Sequence, residues 1–121
     1  MLNIYLQTLK SGYWVVVRGE HDEKITDFSK DIGSDLDRNS LFGLISAIEY
    51  VRDSGDTATV YTNSEFLLRV VNEMDYWASQ NWRNPDDKAI PNLNLVLSLY
   101  LLRQKHGNLS EDTLFFDFQQ S

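Results

Sequence analysis

Leu2, Ile4 and Leu6 alternate with Asn3 and Gln7 across residues 2–9, and this period of two predicts a half-buried strand. Lys10-Ser11-Gly12 reads as a turn. The β-branched and aromatic run Tyr13-Trp14-Val15-Val16-Val17 predicts a second strand, buried on both faces and closing at Arg18-Gly19. Glu20-His21-Asp22-Glu23 reads as a hairpin tip ahead of a weaker third strand over residues 24–29. Connections this short imply antiparallel pairing.

The period then changes. Leu41, Leu44, Ile45, Ile48 and Val51 recur at helical spacing, with Ser34, Asp35 and Asp37 where the helix would start and Gly55 just past its end. Residues 57–62 predict a fourth strand, and Asn63-Ser64-Glu65 caps a helical run over 66–74. A second short helix is predicted over 75–80, carrying Trp77, followed by a polar loop over 83–88. Leu93, Val96, Leu97, Tyr100 and Leu101 define one face of a strong helix ended by Gly107-Asn108, and residues 113–118 predict a last strand. A strand, helices and a further strand in succession imply a right-handed crossover and parallel pairing. The order predicts an α/β fold with a mixed five-stranded sheet, three antiparallel strands and then parallel ones, flanked by helices. There is no repeat, low-complexity tract or linker, so residues 1–121 read as a single domain.

Composition narrows the function classes. Cysteine is absent, which excludes a disulfide framework and a thiolate metal site. The net charge of −7 argues against a broad phosphate-gripping surface and toward a protein partner. The opening residues lack the pattern of a secretory signal, and the most apolar segment, 93–102, is short and broken by Asn94 and Ser98. A soluble chain of the cytoplasm or nucleus, away from membranes, is expected. His21 sits among turn carboxylates and His106 follows Arg103 and Lys105 at a helix end, so solvated-turn and capping roles fit them best. Neither has a nucleophile in suitable spacing. Phosphate-loop, dinucleotide-glycine and His-Glu-x-x-His patterns are missing.

Several short motifs, in order, carry a family likeness. Tyr61-Thr62-Asn63-Ser64-Glu65-Phe66 resembles the Thr-Asp-Ser strand-to-helix motif of ribonuclease H, and Trp77 through Trp82-Arg83 resembles its Trp-x-x-x-x-Trp-Lys segment. Pro91-Asn92-Leu93-Asn94-Leu95 is similar to the start of that family's next helix. Asp37-Arg38-Asn39-Ser40-Leu41, with Ala47-Ile48-Glu49, is similar to its Asn-Arg-x-Glu-Leu helix, and Ile4-Tyr5-Leu6-Gln7 with Gly12-Tyr13 to its first two strands. The likeness spans nearly the whole chain and implies a ribonuclease H-like fold.

The resemblance also implies where a catalytic centre would lie. Family nucleases use two divalent cations held by carboxylates. Here Gln7, Ser40 and Asn63 stand at three of the carboxylate positions, and the fourth, on a helix after the last strand, has no counterpart before Ser121. Gln and Asn keep a carbonyl oxygen without the charge, and Ser offers a hydroxyl. The chain therefore resembles a degenerate member lacking the terminal helix, expected not to be an enzyme and to hold neither metal nor cofactor. Asp37 and Glu65 are nearby acids for a relocated site, and their positions suit capping better.

Three functional readings follow. The first is a non-catalytic module that binds a protein partner or a second copy of itself, through the aromatic last strand with Phe115, Phe116 and Phe118 as the candidate interface. The second is a pseudo-nuclease recognising RNA–DNA hybrid or structured nucleic acid through Thr62, Ser64, Trp77, Trp82, Arg83 and Lys88. Against it, Glu73, Asp75, Asp86 and Asp87 outnumber the nearby cations, and both tryptophans also suit plain packing. The third is an active nuclease with relocated ligands. By analogy, a small relic of this kind suggests a viral or mobile-element origin.

Overall fold

The computed structural model describes residues 2–83, 90, 92–105 and 114–118, the last stretch and residues 103–105 by backbone course alone. Five strands and three helices are found among the described residues: β1 (Leu2–Thr8), β2 (Gly12–Arg18), β3 (Lys24–Asp31), α1 (Leu36–Ser54), β4 (Ala58–Thr62), α2 (Glu65–Ser79), α3 (Leu93–Lys105) and β5 (Leu114–Phe118). The sheet order is β3-β2-β1-β4-β5. The first three strands pair antiparallel through short turns, whereas β1 with β4 and β4 with β5 pair parallel across helical crossovers. The expected α/β architecture and mixed sheet are therefore present.

One face of the sheet carries the core. Ile4, Leu6, Val15, Val17, Ala58 and Val60 form a single buried cluster with residues of all three helices. Two details bring α1 close to the sheet. Asp35 caps it, its carboxylate accepting from the Arg38 N–H, and Gly55 ends it in the left-handed region at φ 71°, returning its N–H to the Val51 carbonyl. Midway, Gly43 lies so near β1 and β2 that a Cβ there would strike Leu6 Cδ1 and the Tyr13 side chain. The Tyr13 hydroxyl finds Ser46 Oγ at 2.9 Å, so its polar tip is satisfied in this packed layer.

Three expectations need correction. Strand β2 is not buried on both faces: Val15 and Val17 are fully buried, but Trp14 is 41% exposed and Val16 only half-buried. The helices supply a layer to one face alone among the described residues. The two helices expected over 66–80 are one continuous helix, because Leu67, Val70, Met74 and Trp77 continue a single buried stripe through Asp75. In α3 the buried side is Leu95, Val96 and Leu99, while Leu101 is 60% exposed. That helix is apolar on almost every side, so periodicity in the sequence cannot choose its inward face. The loop after Arg83 and the Gly107-Asn108 stop lie outside the described residues.

Candidate functional site

Parallel pairing of Leu6 with Thr62 brings the next residues of each chain, Gln7 and Asn63, side by side at the carboxyl ends of β1 and β4. Asn63 fastens the two ends together. Its Oδ1 accepts from the Thr8 N–H at 3.0 Å and its Nδ2 donates to the Thr8 carbonyl at 3.4 Å. From the other side, Ser40 gives its hydroxyl proton to the Leu36 carbonyl at 2.9 Å, so the Thr8 hydroxyl donates to Ser40 Oγ across 2.8 Å. Asn39, 1% exposed, adds a second tie from the first turns of α1: its Nδ2 donates to the carbonyls of Leu9 at 3.2 Å and Gly33 at 3.0 Å.

The three positions singled out in the sequence thus converge, but around Thr8. Ser40 and Asn63 are held by it, whereas Gln7 is exposed and its side chain makes no hydrogen bond among the described residues. Thr8 and Asn39 were missed by sequence reasoning, which looked for lost charge and not for the neutral hydrogen bonds that replace it. Thr8 at the end of the first strand, with Asn39-Ser40 at the start of the first helix, offered only a faint signal.

Beside Gln7, the sheet face away from the helices is hollowed into a groove of about 440 Å³, lined chiefly by Tyr5, Gln7, Trp14, Val16, Tyr61 and Asn63. Tyr5 and Tyr61 stack across the parallel pair, centroids 5.0 Å apart and planes 14° from parallel. Trp14 Nε1 donates to Asp27 at 3.2 Å. The Lys24 ammonium first, and then this indole N–H, hold the Asp27 carboxyl below its ordinary value. Arg18, at the groove rim, is tied to Asp22 through its carbonyl at 2.9 Å and its carboxylate at 3.8 Å.

The nucleic-acid candidates fare unevenly. Trp77 is corrected: it is only 8% exposed and sits in the core, so its ring is not free for a base. Thr62 is buried, its Oγ1 accepting from the Ser64 N–H, and Ser64 caps α2 by accepting from the Leu67 N–H. Trp82 is half-buried, edge-on to Tyr100 at 5.1 Å, and Arg83 beyond it is exposed. Asn81 and Trp82 both adopt the left-handed region, at φ 56° and 62°, turning the chain sharply off the end of α2. Lys88 and the side chains of Phe115, Phe116 and Phe118 lie outside the described residues. At the turn, the His21 N–H donates to Glu23, and no group of three or more His, Asp or Glu converges among the described residues. An amide, a hydroxyl and an amide do not fit a pair of hard divalent cations, and no metal step is assigned to them.

No family model matches the chain. Its curated relatives include ribonuclease H of Neorickettsia sennetsu, 26% identical over 98 residues that make up 78% of this chain and 64% of that protein. Ribonuclease H of Thiobacillus denitrificans is 28% identical over 99 residues, 79% of this chain and 65% of that protein. The chain spans 64–66% of the length of the curated relatives it matches. Among solved structures, foamy viral protease-reverse transcriptase in complex with dsDNA superposes with a TM-score of 0.81 at 13% identity, covering 99% of this chain and 81% of that one. LC11-RNase H1 in complex with RNA/DNA hybrid gives 0.68 at 20% identity, covering 98% and 85%. The superpositions show a shared α/β fold. The fold is ribonuclease H-like, and the chain is similar in sequence to proteins named ribonuclease H.

These relatives correct the expectation that the chain is not an enzyme, since they are themselves named ribonuclease H. Neutral side chains at positions 7, 40 and 63 describe the site without establishing inactivity. The expected protein partner or homodimer finds no support among the relatives. Among the described residues no helix is long and apolar enough to cross a membrane.

Proposed function

We propose that this domain binds RNA–DNA hybrid, or structured nucleic acid of similar shape, across the ends of β1 and β4. The observation that carries the reading is the free amide of Gln7 beside the Asn63–Thr8–Ser40 clasp. An amide N–H₂ donates to phosphate or sugar oxygens, and Asn and Gln are among the side chains that make such contacts to a nucleic-acid backbone. A carboxylate in its place would repel a phosphate 4 Å away by about 1 kcal/mol in bulk water and about 4 kcal/mol near a protein surface. Exposed Arg83, beyond Trp82, is the cation suited to a second phosphate, and buried Thr62 with half-buried Ser64 holds the turn between β4 and α2 in shape. Support also comes from the curated relatives and from a similarly folded ribonuclease H1 whose structure contains RNA/DNA hybrid.

Anisotropy of a labelled hybrid, followed from 50 to 200 mM salt, tests the reading. Affinity should fall with salt, and with few cations in play the slope should be shallow. Absent or salt-indifferent binding refutes it. Gln7→Glu should weaken binding several-fold without divalent ions, because it restores the repulsion. Incubating the same hybrid with magnesium or manganese measures directly whether hydrolysis accompanies binding.

A further inference from the structure

We infer that the aromatic part of the groove receives one unpaired nucleobase, from a single strand running off the bound duplex. The inference rests on the hybrid-binding reading and extends it to a part of the sheet that the sequence motifs do not touch. Register places the pieces together: Gln7 lies opposite Trp14, and Tyr5 lies between Val16 and Tyr61. The result is a patch of flat rings, with Trp14 41% exposed, that no helix covers among the described residues. A volume of about 440 Å³ is in the range of small-ligand sites and accommodates a base with its sugar.

Polar groups around the rings select what kind of flat molecule fits. With its N–H₂ turned to the backbone of the strand, Gln7 still presents its Oε1 at the groove end as an acceptor for a base amino group. Arg18, the cation among the described residues lining the groove, is already engaged by Asp22. Asp27 adds an anion beside Trp14. A phosphate therefore finds no free positive charge inside the groove, whereas an uncharged heteroaromatic ring finds stacking and hydrogen bonding. The backbone of the strand would stay with Gln7, Asn63 and Arg83 at the neighbouring duplex site, and the base alone would enter.

The test compares a blunt hybrid with the same hybrid carrying a four-nucleotide single-stranded extension, at 50 and 200 mM salt. Base stacking predicts that the extension tightens binding by about tenfold, and that this ratio persists as salt rises. Trp14→Ala should bring the two ligands to the same affinity, and Trp14→Phe should recover part of the difference. Circular dichroism of both variants checks that they are folded. Equal affinities in the parent protein, or a ratio that survives Trp14→Ala, overturns the proposal. A short single strand is titrated separately. If the blunt hybrid fails to bind while the single strand quenches Trp14 fluorescence, the duplex reading falls and the base site stands; if neither binds, both fall.

Discussion

The two faces of this sheet are built from the same strands and obey opposite rules. On one, Ile4, Leu6, Val15, Val17 and Val60 are essentially sealed from solvent by helices; on the other, their immediate neighbours Tyr5, Gln7, Trp14, Val16 and Tyr61 border an open groove. Because side chains alternate, one-residue steps along a strand cross from the part that holds the fold together to the part available for ligands. The covered face is under packing constraint and the open one is not.

Substitutions should separate the faces cleanly. Leu44→Ala, at a fully buried position of α1, should cost about 2–5 kcal/mol in chemical denaturation, since the cavity cannot refill from solvent. A smaller loss would mean that α1 is less firmly seated than the covered face implies. Asn39→Ala removes the buried amide that donates to the Leu9 and Gly33 carbonyls and should cost about 1–3 kcal/mol for the two hydrogen bonds, and it should also loosen the clasp at Thr8 enough to weaken hybrid binding. Trp14→Ala, on the open face, should change stability by no more than about 0.5 kcal/mol, and a larger loss would show that the groove is structural after all. The smallest effect concerns acid. Asp27 titrates below its ordinary 3.8 in the folded chain, so the stabilisation it gives is present above that value and is lost as pH falls through the folded one. Comparing the parent with Asp27→Asn by melting from pH 6 to 2 should show a slight advantage that disappears only at the acid end.

The covered face was legible in the sequence because burial leaves a period. Leu2, Ile4 and Leu6 gave β1, the Leu41-to-Val51 spacing gave α1, and the Asn63-Ser64 cap marked the start of α2. The open face left no such trace. Tyr5, Trp14 and Tyr61 read as ordinary strand aromatics, and only the absence of a covering layer among the described residues turns them into a groove. At the site, Gln7, Ser40 and Asn63 were found through family likeness, while Thr8, which joins two of them, was not: a hydroxyl and a backbone amide leave little mark in a sequence. Trp77 stayed open between packing and ligand contact, because a tryptophan in a helix looks the same whether it faces a core or a ligand, and burial decides for the core.

The paired left-handed residues Asn81 and Trp82 separate aim from attraction. The heading at which Arg83 departs from α2 is set by backbone torsion, with the Trp82 ring braced on Tyr100, and among the described residues no ion pair holds it. Concentrated electrolyte would therefore mute the pull of that guanidinium on a polyanion while leaving its bearing intact, so dilution should restore it without rearrangement.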